Sequence, residues 1–278
     1  MHDGANAYMG AAECVDELRR RGKRLAILSN SARRAAATDD KLRAMGLGTF
    51  DAYVTGGECA WQLFKEDDPQ YDALGHRCVV LAWPDPGDHH LFAAGLGERL
   101  TYASVDEADF VLLLGLGHVW DGVTLAAADD GGLRNLLDRG LARGIPLLCC
   151  NPDKVVVKPD GSHSPCPGTL ASYYETHGGR VLYSGKPHPD VYRVCLRAMG
   201  GVPSGRVVAV GDSLHHDIAG ALGCGIDSVL VTGGIHAEEL GIAASSAQTA
   251  PSQRLESLYS KHLQAGGRPT YTMPAFTW

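Results

Sequence analysis

Nothing in this sequence approaches the ~20 consecutive apolar residues that a membrane-spanning helix requires. Its first residues lack the basic-then-apolar pattern of a secretory leader, so a secreted protein is not expected. No dense run of Lys or Arg is present, and 25 basic against 32 acidic residues leave a net charge of −7. That balance argues against a nucleic-acid footprint. No internal repeat is found. Of eight cysteines, no two are spaced C-x-x-C. Several lie inside apolar patterns, where a thiol packs as a small hydrophobe, so reduced structural thiols and a cytoplasmic location are expected. Cys149-Cys150 invites a redox or metal reading. It ends the run Ile145-Pro-Leu-Leu, however, and neighbours on a strand point to opposite faces.

What is present is an ordinary globular composition, 45% hydrophobic and 21% charged over 278 residues. That length allows one large domain or two modest ones. Apolar runs at Leu25–Leu28, Asp51–Val54 and Cys78–Ala82 read as strands, separated by helical patterns over Ala11–Arg21 and Arg33–Met45 and from Thr55 through Leu63. After Trp83-Pro-Asp-Pro-Gly the texture changes. Strands at Phe110–Leu114 and Ile145–Cys150 flank a helix expected over Leu125–Arg143. The alternation resumes with a strand at Arg180–Tyr183, a helix at Pro189–Met199, a strand from Val207 that reads as buried on both faces, a helix after Asp217 and a strand at Asp227–Val231. Ala243–Pro251 reads as a loop. Strands alternating with helices predict an α/β protein with a doubly wound parallel sheet. Residues 83–182 are expected as an inserted α/β cap domain, and 1–82 with 183–278 as the core.

Three polar groups fall just after apolar strands: Ser29-Asn30, Gly185-Lys186-Pro187, and Asp212 with Asp217. Strand ends on one side of a parallel sheet converge on a crevice. Hydroxyl and backbone N–H groups before a helix can hold a phosphate. Lys186 offers a point positive charge, and two carboxylates are hard oxygen ligands of the kind Mg²⁺ prefers. Each alone has a bland reading: Ser-Asn as a helix cap, Gly-Lys-Pro as a turn, Asp as an N-cap. Their order and spacing together are far more specific.

With those residues in place, the chain resembles the haloacid dehalogenase superfamily, in the class IIA branch of phosphatases whose cap is inserted between the second and third motifs. Leu28-Ser29-Asn30 matches the second motif, Gly185-Lys186-Pro187-His188-Pro189 the third, and Gly211-Asp212 through Asp217 the fourth. Asn151-Pro152-Asp153 resembles the substrate-facing cap loop, and Pro269–Trp278 a family C-terminus. The resemblance implies Mg²⁺-dependent hydrolysis of a phosphomonoester through an aspartyl-phosphate. It implies that Ser29 and Asn30 bind phosphate, that Lys186 steadies nucleophile and phosphate, that Asp212 binds the metal with Asp217 in support, and that Asn151 and Asp153 face the substrate. The expected partner is a small phosphorylated metabolite, with neither nucleic acid nor membrane; a homo-oligomer is compatible with the sequence. The first motif departs from the pattern. Met1-His2-Asp3-Gly4 aligns with the turn after the nucleophilic Asp, or places Met1 in its position, so these residues hold no nucleophile. A truncated N-terminus is the favoured expectation, and a non-catalytic phosphate-binding relative is the alternative.

Gly211-Asp212-Ser213-Leu214 also spells the motif of serine esterases. That motif belongs near an N-terminus with Asp-x-x-His far downstream, and neither His236 nor His262 has Asp three residues before it. Gly115-Leu-Gly117 lacks the third glycine of a dinucleotide loop and reads as a turn. The pairs His89-His90 and His215-His216 could bind zinc, but adjacent histidines rarely converge on one ion, and they read as surface polar residues; His188 and His216 are candidates to line the crevice.

Overall fold

A computed structural model describes every residue except 85, 158–162, 245–247 and 265. Asp85 of the expected boundary and the middle of the loop expected at 243–251 thus lie outside the described residues. The strands are β1 (Ala26–Ser29), β2 (Ala52–Thr55), β3 (Arg77–Ala82), β4 (Thr101–Tyr102), β5 (Phe110–Leu113), β6 (His118–Trp120), β7 (Leu125–Ala127), β8 (Leu147–Cys149), β9 (Val155–Val157), β10 (His163–Pro165), β11 (Val181–Tyr183), β12 (Val208–Gly211), β13 (Asp227–Val231) and β14 (Tyr271–Met273). The chain gathers into two compact units. One comprises Met1–Ile27, Asp39–Ala52 and Lys186–Trp278; the other comprises Leu28–Thr38 and Tyr53–Gly185. The paired strands β1 and β2 are where the chain passes from one to the other.

The second unit is built on a seven-stranded sheet in the order β11-β8-β5-β3-β6-β7, with β4 also against β3. β11, β8, β5, β3 and β4 run parallel, while β6 runs antiparallel to its neighbours β3 and β7. The sheet therefore takes in β3, ahead of residue 83. Parallel strands covered on both faces are uniformly apolar, and Phe110–Leu113 and Leu147–Cys149 are buried throughout. Val79, Leu81, Val111, Leu113 and Leu147 pack with Leu133 and Leu137 of helix Asp130–Arg143 and with Leu170 and Tyr174 of helix Pro167–Thr176. The helix expected from Leu125 begins instead at Asp130. Asp129 accepts from Gly132 N–H at 2.8 Å as its N-cap, and Leu125–Ala127 pairs back on His118–Trp120 as a hairpin. Cys149 and Cys150 are buried free thiols, and burial pushes Cys149 up to about 12. Neither is poised for thiolate chemistry at neutral pH.

The first unit carries a three-stranded parallel sheet, β12-β13-β14. Leu214, Ile218 and Leu230 pack with Ala237 and Leu240 of helix Ala237–Leu240 and with Leu258 and Tyr259 of helix Ser252–His262. The strand read as buried on both faces is an edge strand of this sheet among the described residues. Val208 is 51% and Val210 43% exposed, because hydrogen-bonded neighbours flank only one side of β12. The helix expected after Asp217 starts earlier, as a π-turn over Leu214–Ile218 that runs into helix Ala219–Gly223. Ser213 is its N-cap, its Oγ accepting from His216 N–H at 3.2 Å.

Candidate functional site

β12 ends at Gly211, and the chain turns at once into the capped π-turn, so Asp212 and Asp217 stand on one short loop–helix segment. Asp217 is buried. Its Oδ1 accepts from Lys186 Nζ at 2.7 Å, and its Oδ2 accepts from Ser213 N–H at 3.0 Å. Burial pushes its carboxyl up, but the Lys186 charge and hydrogen bond outweigh that, and it sits below the ordinary carboxylate value. Both partners are nearly covered, at 16% and 13% exposure, so this is a desolvated ion pair rather than a surface one. Tyr192 Oη, at 3.2 Å from the carbonyl oxygens of both His216 and Asp217, braces the π-turn from helix Pro189–Ala198.

Asp212 is held differently. Its Oδ2 accepts from Ile235 N–H at 3.0 Å, which leaves Oδ1 as the oxygen with no hydrogen bond among the described residues. Two glycines make this arrangement possible. A Cβ at Gly211 would lie 2.2 Å from Asp217 Cγ, and one at Gly234 would lie 2.2 Å from Asp212 Cβ. Gly234 and the Ile235 amide escaped the sequence reading; the doublet Gly233-Gly234 just after β13 was the available signal. Burial lowers the Met1 α-ammonium below its ordinary value, by more than the charges of Asp212 and Asp217 raise it. Ser213 Oγ lies 3.1 Å from His216 Nδ1, but that hydroxyl caps its own helix and is nearly buried, which is a local turn contact rather than a nucleophile presented to solvent.

The other expected residues belong to the second unit. Ser29 closes β1, and its Oγ accepts from Ser31 N–H at 3.2 Å. Asn30 is buried, and its Nδ2 donates to Asp153 Oδ1 at 2.8 Å. Asn151 Oδ1 in turn accepts from Asp153 N–H at 3.0 Å. The 151–153 loop and the Ser29-Asn30 turn are thus joined by one hydrogen-bonded chain, a link between residues far apart in sequence. Gly185 adopts φ +138°, and a Cβ there would lie 2.7 Å from Pro152 Cδ and 3.0 Å from Asn30 Oδ1. The structure therefore joins Lys186 to Asp217 beside Asp212, and Asn30 to Asp153 and Asn151.

A lysine–carboxylate pair thus stands beside a second carboxylate at the C-terminal end of a parallel strand of an α/β protein. Comparisons with known proteins are more specific. Residues 1–96 match the family model for haloacid dehalogenase-like hydrolases, and residues 183–259 match a HAD-hydrolase-like model. Chronophin from Homo sapiens is 30% identical over 259 residues, spanning 84% of this chain and 78% of that protein. The ribonucleotide monophosphatase NagD of Escherichia coli K12 is 25% identical over 239 residues, 84% of each chain. A haloacid dehalogenase-like hydrolase from Brucella suis superposes with a TM-score of 0.73 at 25% identity, covering 99% of this chain and 91% of that one. The chain belongs to the haloacid dehalogenase-like hydrolase superfamily, in its class IIA phosphatase branch.

Proposed function

We propose that this chain binds a small phosphorylated metabolite together with a divalent cation, and that the reaction its residues serve is hydrolysis of a phosphomonoester. The observation that carries this reading is the largely covered Lys186–Asp217 pair beside Asp212. Ser29 and Asn30 are the proposed phosphate ligands, Asn151 and Asp153 the proposed substrate-facing pair, and residues 83–182 the proposed cap. The names of the relatives, a ribonucleotide monophosphatase among them, favour a phosphate monoester of a small molecule.

Mg²⁺ fits the donor set. Asp212 offers a hard oxygen, Oδ1, that has no hydrogen bond among the described residues, whereas both oxygens of Asp217 are engaged by Lys186 and Ser213. Asp212 would therefore be the direct ligand, and Asp217 would act by positioning Lys186 and the π-turn. When bound, the ion neutralises phosphate charge and polarises the P–O bond. Lys186 would hold a phosphate oxygen by a charge-assisted hydrogen bond. In the reaction implied by the family resemblance, an Asp carboxylate attacks phosphorus and the alcohol departs with a proton. Water then cleaves the aspartyl-phosphate, releasing inorganic phosphate and restoring the carboxylate.

Met1–Gly4 supply no counterpart for that nucleophile, so residues 1–278 alone are expected to bind phosphate compounds without turnover. Preceding them with a strand that ends in Asp is expected to give Mg²⁺-dependent phosphate release. Absence of turnover from the extended protein, over a panel of sugar, nucleotide and pyridoxal phosphates, would favour the non-catalytic binding reading instead.

A further inference from the structure

Three histidines from separate parts of the sequence, His215, His236 and His262, come together beside Glu239. His236 N-caps helix Ala237–Leu240, Glu239 lies on that helix, and His262 ends helix Ser252–His262. One ligand atom from each of His236, Glu239 and His262 lies within 4.8 Å of the others. His262 Nε2 is 3.0 Å and His236 Nδ1 is 3.7 Å from the same oxygen, Glu239 Oε2. A tetrahedral zinc ion with ~2.0–2.1 Å bonds separates its ligand atoms by about 3.4 Å, and these two distances bracket that value. Leu240 and Ala237 pack with Leu258 and Tyr259, so the backbones carrying the ligands are fixed to each other by an apolar core. His262 Nδ1 lies 3.1 Å from His215 Nε2. An outer partner of this kind orients a ligating imidazole and fixes its tautomer.

We propose that His236, Glu239 and His262 form a binding site for a divalent transition metal of the zinc class, with His215 orienting His262. None of its three ligands belongs to the Asp212–Asp217 segment, which contributes only His215, and its chemistry differs: two imidazoles and one carboxylate select zinc-like ions over Mg²⁺. His262 meets the requirement with a proton shift. With Nδ1–H donating to His215 Nε2, its Nε2 lone pair is directed at the ion. His236 is the weaker ligand, because its Nε2 accepts from Leu214 N–H at 3.3 Å. Ligation through Nδ1 places the ring proton on Nε2 and gives up that bond. Lys261 Nζ takes the other carboxylate oxygen, Glu239 Oε1, at 2.5 Å, which leaves Oε2 for the metal. The same ion would tie the π-turn segment, through His215, to the two C-terminal helices.

The test is calorimetric titration of the full chain with Zn²⁺ in excess Mg²⁺, so that hard oxygen sites are already filled. One Zn²⁺ per chain is expected. Glu239→Gln and His262→Gln should each weaken it more than 100-fold, His215→Ala by ~10–100-fold, and His236→Gln, the weakest of the three ligands, by less than Glu239→Gln or His262→Gln. Asp212→Asn should leave Zn²⁺ affinity within threefold. X-ray absorption of the Zn²⁺-loaded unmodified chain should show a first shell with at least two imidazoles, a readout that needs no variant to fold. An all-oxygen shell, or a titration unchanged in both Glu239→Gln and His262→Gln, would overturn the proposal.

Discussion

At the scale of single residues, the Lys186–Asp217 pair is where structure and stability are most tightly coupled. Removing one member of a buried pair strands the other and typically costs about 3–5 kcal/mol. Lys186→Met is therefore expected to lower urea-unfolding stability by that amount at pH 7. The sign with pH follows from Asp217, whose folded value is depressed below its ordinary 3.8. Its contribution is complete above the ordinary value and is lost as pH falls through the folded one. The difference between Lys186→Met and the unmodified protein should shrink on acidification; a difference that stays constant or grows would show that Asp217 is not the partner. Gly211→Ala tests the same loop sterically. Its Cβ would overlap the Asp217 carboxylate, with an expected cost of about 1–3 kcal/mol and displacement of Asp217 from Lys186. These residues were legible because a glycine, a lysine and two acids followed apolar runs at characteristic spacing. Ile235 and Gly234 were not, since a backbone amide carries no side-chain signal.

At the scale of elements, existence was easier to read than boundaries. Runs such as Val79–Ala82 and Phe110–Leu113 are apolar enough to mark strands, and the structure has them. The start of helix Asp130–Arg143 was misplaced because Leu125-Ala-Ala is as helix-compatible as it is strand-compatible; the hairpin with β6 and the Asp129 cap decided it. Asp129→Ala should cost about 1 kcal/mol in thermal or urea unfolding, and an unchanged midpoint would remove that explanation. The antiparallel pair β9–β10 and helix Ser252–His262 were not anticipated: Val155–Val157 is only three residues long, and the helix has just Leu255, Leu258 and Tyr259 as apolar positions. A second electrostatic hold ties β5 to β3. Asp109 accepts from the backbone N–H groups of His76 and Arg77 and pairs with the Arg77 guanidinium at 2.8 Å. Chiefly that guanidinium, helped by the two amides, holds the carboxyl down to about 2 against the desolvation that raises it. Asp109→Asn should cost about 1–2 kcal/mol at neutral pH. For the unmodified protein this share of stability is present above pH 4 and lost toward pH 2.

For the whole molecule, the α/β class and the family were readable from the order of three motifs, and the comparisons bear them out. The histidine–glutamate cluster was not readable, because His215, His236 and His262 meet only after two helices pack. Among the described residues no helix is long and apolar enough to cross a membrane. In the proposed function, the Lys186–Asp217–Asp212 segment handles phosphate and a divalent cation together. Calorimetric titration of the chain with inorganic phosphate, with and without Mg²⁺, tests it most directly. Mg²⁺ should strengthen phosphate binding at least tenfold in the unmodified protein, and Asp212→Asn should abolish that gain while the fold, checked by circular dichroism, is retained. A phosphate affinity indifferent to Mg²⁺, or an Asp212→Asn titration that superimposes on the unmodified one, would contradict it.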